Sequence, residues 1–224
     1  MIMKNAEIGR AANILAHGGT VVFPTETLYG LAASSVDREA VRRVCDIKRR
    51  PQEKMLPVIV GSLAQARKYF IFDRLSLALA KKFWPGPLTL VLATRSRTLA
   101  AAMGGKRVAV RYSANATAAR LAIRAGAPIT STSANRSGRP GCFTISSVKR
   151  QLGHTSSGVR PYPDMFLNGG TLSRSLPSTI VQVRKGRVSI LRTGKISAGE
   201  IEKQLLRKRV AMRIRRHSTR VFDN

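Results

Sequence analysis

The feature that most limits the fold of this chain is a repeated switch between two spacings of apolar residues. Short β-branched or apolar runs at Thr20-Val-Val-Phe23, 56–60, 88–92, 108–110, 128–130, 179–183 and 188–191 are bounded by Gly, Pro or charges, the pattern of buried strands. Between several of them, residues 38–47, 63–69, 75–83 and 114–125 carry apolar side chains at helical spacing. The N-terminal segment places Ile8, Ala11, Ala12 and Leu15 on one helical face before a Gly18-Gly19 stop. Strands alternating with helices predict an α/β protein, a twisted open mixed sheet with flanking helices. With 224 residues, 43% of them hydrophobic, the chain suits one compact domain with a real core.

Composition narrows the function classes. No window approaches ~18 consecutive apolar residues and the N-terminus has no secretory apolar run, so a soluble protein that does not enter a membrane is expected. Cys45 and Cys142 are too few for a disulfide framework or a zinc site and fit a reduced, cytoplasmic setting. Lys plus Arg number 40 against 11 for Asp plus Glu, a formal charge of +29. Such a surplus attracts polyanions, so phosphate, RNA or both are expected partners. It is densest at the C-terminus, KQLLRKRVAMRIRRHSTRVFDN. That stretch reads as a helix with Ile201, Leu205 and Leu206 on one face, followed by a basic tail, and suggests a division into 1–200 and 201–224.

Standard catalytic constellations are missing from the sequence. His17, His154 and His217 lie in unrelated settings, with no HExxH pair and no GxSxG elbow. Gly104-Gly-Lys106 is followed by Arg107, not Ser or Thr, and lacks the upstream Gly of a Walker loop. No metal ligands are assigned. What remains is a set of cations and hydroxyls at strand ends. Lys48-Arg-Arg-Pro51, with Lys54 close behind, closes a helix; Arg111 and Arg192 each end an apolar strand; and Pro128-Ile-Thr130 runs into Ser131-Thr-Ser-Ala-Asn135. Ligands of α/β sheets sit in the crevice beyond the carboxyl ends of strands. Arginine forks, lysine point charges and directional hydroxyls there are the equipment for holding a polyphosphate.

These residues also resemble a known family. Pro24-Thr-Glu-Thr-Leu-Tyr-Gly30, Lys48-Arg-Arg-Pro51, Trp84-Pro-Gly-Pro-Leu-Thr89, Val108-Ala-Val-Arg111, Ser131-Thr-Ser-Ala-Asn135 with Ser137-Gly138, and Ser178-Thr-Ile-Val181 with Ile190-Leu-Arg192 are similar, in order, to the motifs of the YrdC/Sua5 family. The resemblance runs to about Gly194 and implies a YrdC-like fold around a basic concave cavity. It implies synthesis of threonylcarbamoyl-AMP and pyrophosphate from L-threonine, bicarbonate or CO2, and ATP, for t6A modification of tRNA. The family's paired Lys-x-Arg and Ser-x-Asn signature falls on Lys48, Arg50, Ser133 and Asn135, expected to act in catalysis. With Lys54 and Arg192 these would grip ATP, while Thr25, Tyr29, Arg111, Ser131 and Ser178 would hold threonine.

The same resemblance implies Mg2+ bound through the nucleotide, and leaves tRNA and other t6A-pathway proteins as possible partners. Many relatives carry a histidine where this chain runs Val58-Ile-Val-Gly61, and an acid where it has Gln182. A non-catalytic RNA-binding protein of the same fold would also account for the charge, but aromatic residues for base stacking are only 5% of the chain. A hydrogenase-maturation carbamoyltransferase would need acylphosphatase and zinc-finger parts for which 224 residues leave no room.

Overall fold

The computed structural model describes residues 3–51, 55–153, 161–184 and 186–206, together with the backbone of 214–216. Lys54, His154, His217 and most of the basic tail lie outside the described residues. Helix α1 (Asn5–Ala16) precedes a hairpin of β1 (Val21–Pro24) and β2 (Tyr29–Ala32), followed by α2 (Arg38–Lys48), β3 (Val58–Val60), α3 (Leu63–Tyr69) and β4 (Phe70–Ile71). Next come α4 (Arg74–Phe83), β5 (Leu88–Thr94), α5 (Arg97–Ala102), β6 (Arg107–Tyr112), α6 (Ala116–Arg124), β7 (Ile129–Thr130) and β8 (Thr132–Ser133). The chain continues through α7 (Ile145–Leu152), β9 (Met165–Phe166), β10 (Thr179–Arg184), β11 (Arg187–Arg192), α8 (Ala198–Leu206) and β12 (Ile214–Arg216).

Two sheets result. The smaller has the order β8-β2-β1-β9; the larger has the order β12-β11-β10-β5-β6-β3-β7, with β4 also paired to β5. Both mix parallel and antiparallel pairs: in the large sheet β10 runs parallel to β5, β6 runs antiparallel to β5 but parallel to β3, and β11 runs antiparallel to β10 but parallel to β12, and in the small one β1 runs antiparallel to β2 but parallel to β9. The mixed α/β architecture read from the sequence is therefore present.

The large sheet is covered on one face by a core in which Leu88, Leu90, Leu92, Val108, Val110, Val181 and Val183 point the same way. Complete burial of each such side chain is worth about 1.5–3 kcal/mol. Ile201 and Leu205 of α8 join that core, so this helix docks on the body. Leu206 does not join them: it is 67% exposed, off the buried stripe because only positions at i and i+4 face the sheet here. A second cluster joins α2 and α7 to the small sheet, and a third joins α1 and α6 to β1 and β3.

The helices start where the sequence supplies acceptors. Asp37 caps α2 by accepting from the Glu39 and Ala40 amides, and Asp73 and Ser76 form a capping box on α4. The sequence reading missed β2, β4, β8, β9, β12, α5 and α7, with β12 lying where a basic tail was expected. Most are two-to-four-residue strands or short helices, too short for periodicity to register, and β2 contains Gly30.

Candidate active site

Strand alternation places the first wall of the site. Along β5, Leu88, Leu90 and Leu92 enter the core, which turns Thr89 to the opposite face. Along β6, Val108 and Val110 do the same and Arg111 faces away from them. Thr89 and Arg111 line a cavity of about 310 Å3 enclosed by the β1–β2 connection, the segment after α2, β3, Ser131–Ser133, and the approach to β10.

Arg192 reaches this cavity through an irregularity. Between β10 and β11 the register runs Val183↔Val188, Gln182↔Ser189 and Val181↔Ile190, then jumps to Ile180↔Arg192. Leu191 is the extra residue of a β-bulge. Simple alternation would have put Arg192 on the core face with Val188 and Ile190; the bulge re-aims it to the face of Ile180, on the cavity. There its guanidinium donates to the Ser178 carbonyl at 3.0 and 3.2 Å and to Ser178 Oγ at 3.2 Å. Ser178 Oγ also lies 2.8 Å from Thr89 Oγ1.

The Lys48-x-Arg50 and Ser133-x-Asn135 segments form one structure. Helix α2 ends at Arg49 in the left-handed conformation, φ 52°, with the Arg50 amide closing back on the Cys45 carbonyl at 2.9 Å. That turn leaves Lys48 buried, Arg49 exposed and Arg50 buried on the cavity side. Lys48 Nζ donates to the Ser133 carbonyl, to the Asn135 carbonyl at 2.7 Å and to Asn135 Oδ1 at 3.5 Å. The Lys48 carbonyl in turn accepts the Ser137 amide at 2.9 Å. Asn135 Nδ2 donates to the carbonyls of Arg136 at 3.0 Å and Arg139 at 2.5 Å, holding the loop that turns at Gly138, φ 78°. Burial, and then the charge of Arg50, push the Lys48 ammonium down to about 7.

Arg50 has different surroundings. Its Nη2 donates to the Met55 carbonyl at 3.2 Å, while its buried Nε has no partner. Burial lowers its pKa, with Cys45 opposing the shift. Arg111 is 7% exposed; burial lowers its pKa, and Glu26, with Oε1 at 3.4 Å from Nη1, opposes the shift. The other Glu26 oxygen accepts Ser113 Oγ at 2.5 Å, and its backbone carbonyl accepts Ser175 Oγ at 3.1 Å. Glu26 therefore ties the β1–β2 turn to the end of β6 and to the far wall. Thr25 shapes that turn: Oγ1 donates to the Leu28 carbonyl at 2.6 Å and accepts the amides of Thr27 and Leu28. Tyr29 accepts from the Gly169 amide and donates to the Gly170 carbonyl at 2.7 Å; burial raises its pKa.

Of the residues singled out in the sequence, Thr25, Tyr29, Arg50, Arg111, Ser131, Ser133, Ser178 and Arg192 meet around this one cavity. Lys48 and Asn135 stand behind its wall and hold the loop that carries Ser133. Sequence reasoning overlooked Glu26, Thr27, Thr89 and Ser175. The alternation of Leu88, Leu90 and Leu92 was a signal for Thr89, whereas nothing local links Glu26 to Arg111, 85 positions away. Val58 and Ile59 give the wall aliphatic surface in the region where histidine was expected of relatives. Among the described residues no group of three or more His, Cys, Asp or Glu could hold a metal ion, and no helix is long and apolar enough to cross a membrane.

The family model Sua5_yciO_yrdC, described as "Telomere recombination", matches residues 13–194. The threonylcarbamoyl-AMP synthase of Aliivibrio fischeri is 32% identical over 188 residues, 82% of this chain and 97% of that protein. The threonylcarbamoyl-AMP synthase of Pyrococcus abyssi is 34% identical over 196 residues, 86% of this chain but 55% of its own length, so the chain spans about half of that relative. The crystal structure of P. abyssi Sua5 complexed with L-threonine superposes with a TM-score of 0.82 at 30% identity, covering 95% of this chain and 61% of that one. E. coli YciO, at 23% identity, has the same fold, with a TM-score of 0.75 over 89% of this chain and 95% of its own. With the family model spanning most of the sequence and both cavity motifs in place, the chain belongs to the Sua5/YciO/YrdC family.

Proposed function

We propose that this protein is a threonylcarbamoyl-AMP synthase, a nucleotidyltransferase that joins L-threonine, CO2 or bicarbonate, and ATP. The observation that carries the reading is the meeting of Arg50, Arg111 and Arg192 with a ring of hydroxyls around one cavity. The threonine complex of the P. abyssi relative and the naming of the curated relatives support it. The neutral amine of threonine adds to CO2, forming an N–C bond and giving up a proton, to yield a carbamate. A carbamate oxygen then forms a bond to the α-phosphorus as the bond to the bridging oxygen breaks and pyrophosphate leaves. That oxygen is already anionic, so the second step needs no general base, in keeping with a site built of cations and hydroxyls.

Arg50, whose Nε is unpartnered, is assigned to the polyphosphate, and Arg192 to its other flank. Arg111, steadied by Glu26, is assigned with Thr25, Tyr29, Ser131 and Ser178 to threonine. Lys48 and Asn135 set the position of Ser133. Fixed donors of this kind act by positioning and by stabilising developing charge. Glu26, a carboxylate of this wall, accepts Ser113 Oγ through Oε2 and pairs with Arg111 through Oε1, which takes no hydrogen bond; Mg2+ would be held by the phosphates, where it neutralises charge. The labile acyl phosphate would pass to further proteins that modify tRNA.

The test is pyrophosphate release from ATP, measured with and without threonine and bicarbonate. Release should require both, persist more weakly with serine and fail with valine, because a site built to bond a hydroxyl rejects its absence. Equal rates with valine would remove threonine as the substrate.

A further inference from the structure

Three polar side chains on the cavity wall form a chain with one proton more than its hydrogen bonds use. Arg192 Nη2 donates to Ser178 Oγ at 3.2 Å, and Ser178 Oγ lies 2.8 Å from Thr89 Oγ1. A guanidinium only donates, so Ser178 Oγ accepts at the first contact. The two hydroxyls carry two protons, and one of these fills the bond between them. Neither hydroxyl makes a further hydrogen bond among the described residues. Whichever oxygen donates to the other, one hydroxyl proton of the pair has no acceptor there. Both residues are buried and both line the cavity, so that proton is offered to whatever occupies the cavity.

The direction of the chain picks the terminal donor. Hydrogen bonds in series polarise one another, and an oxygen that accepts from a charged group becomes a better donor. Acceptance from Arg192 therefore favours donation from Ser178 to Thr89, which leaves the spare proton on Thr89. The sheet fixes where that hydroxyl stands. Thr89 pairs with Ile180 of β10 on one side. On the other side Leu90 pairs with Val110 of β6, so Thr89 and Arg111 are the next residues of their strands, and both line the cavity. The Arg111 guanidinium is buried and makes no hydrogen bond to the described residues; it stands 3.4 Å from Glu26 Oε1, which itself takes none. A guanidinium fork with open N–H groups beside a hydroxyl with a spare proton matches a carboxylate, whose two oxygens can accept from both.

We infer that Thr89 contacts the amino-acid substrate: its hydroxyl, turned outward by Ser178 and Arg192, donates to one carboxylate oxygen while Arg111 holds the other. The inference rests on the synthase reading above and adds a residue and an atom which that reading leaves unassigned. Ser178 serves the amino acid through Thr89, as a positioning residue. The carboxylate of threonine keeps its charge while the amine is carboxylated and the carbamate attacks phosphorus, so a bond to it is as strong in the transition state as in the ground state. Such a bond sets the affinity for threonine and leaves the rate of the chemical steps nearly untouched.

The experiment measures threonine binding to the full chain by calorimetry and, in parallel, threonine-dependent pyrophosphate release. Thr89→Val keeps the β-branched shape and removes the hydroxyl; Kd and KM for threonine should each rise about tenfold, the low end for a hydrogen bond to a charged group, while kcat falls less than about threefold. Thr89→Ser restores a hydroxyl and should recover most of the affinity, which a role in packing alone would not allow. Ser178→Ala leaves the Thr89 proton in place and should weaken binding less than Thr89→Val does. Isopropanolamine, which is threonine without its carboxylate, tests the atom assignment. As a competitor it should bind wild type and Thr89→Val equally weakly, to within about twofold, because it has no carboxylate for Thr89 to lose. If Thr89→Val weakens isopropanolamine as much as threonine, the Thr89 bond goes to the amine or the side-chain hydroxyl and the inference is overturned. An unchanged Kd for threonine in Thr89→Val, a loss carried by kcat and not KM, or a larger loss for Ser178→Ala overturns it too, and each of these leaves the synthase reading standing. A wild type that binds no threonine removes that reading and the inference together. Should Thr89→Val not fold, Thr89→Ala is measured in its place, with the same rise in Kd expected and the same competitor.

Discussion

Lys48 and Arg50 stand two residues apart and end in opposite surroundings. Lys48 points behind the cavity wall, where three oxygens from Ser133 and Asn135 take up its ammonium. Arg50, beyond the left-handed turn at Arg49, faces the cavity with an Nε that nothing in the protein satisfies. Two cations of one short motif are thus saturated to different degrees. A buried donor whose valences are filled by the fold holds the fold together, and one left partly open is prepared for a ligand.

The contrast makes the largest prediction an effect on activity alone. Arg50→Ala should lower kcat/KM for pyrophosphate release by about 10²–10³-fold, the size expected for losing one charged donor to the transition state, with little change in Tm. Arg50→Lys should rescue only part, because an ammonium lacks the fork. Normal turnover in both variants would break the comparison at its functional end.

Lys48→Met should act on the other side. It strands three buried oxygens, and a cost of about 2–4 kcal/mol is expected, read as a fall in Tm of roughly 5–15 °C. Its pH dependence sharpens the test. The folded Lys48 ammonium is pushed down to about 7, below its unfolded value, so between about pH 7 and the ordinary lysine range near ~10.4 the unfolded chain binds more protons than the folded one. The stability of the wild type relative to Lys48→Met should therefore rise with pH through that window and stay flat below it. A difference that fell with rising pH would show that the oxygens hold the proton more strongly than burial expels it.

Smaller effects follow on the threonine side. Glu26→Ala removes the ion pair that steadies Arg111 and the acceptor of Ser113, and should lower kcat/KM for threonine about tenfold; Glu26→Asp should recover part of it. The smallest change expected is about fivefold for Ser178→Ala, which removes one hydroxyl bond to Thr89 and one to Arg192. A reversed order of these two would move threonine toward β10.

How far the sequence anticipates this arrangement depends on the range of the signal. The helix at 63–69 and the strands around 88–92 and 179–183 are legible because their apolar spacing is local and strong. Arg111 and Arg192 stand out as cations closing apolar strands, and Ser131 to Asn135 as an unusual density of hydroxyl and amide groups. The inward turn of Lys48 is not legible, because the left-handed residue that causes it is Arg49, with neither Gly nor Asn to announce it. Glu26 escapes for another reason: its importance arises from its bonds to β6 and Ser175, which no local pattern records.

The extra residue at Leu191 carries a consequence for how such a site can change over time. The direction of the Arg192 side chain is specified by the bulge as well as by an identity. Straightening the bulge with the number of residues unchanged would restore unbroken alternation and swing the guanidinium toward the apolar face, where an unpaired charge is costly to bury. Such a change of register alters no residue near the site, yet it would remove a cation from the cavity more completely than many substitutions. In this corner of the fold, backbone register matters as much as residue identity.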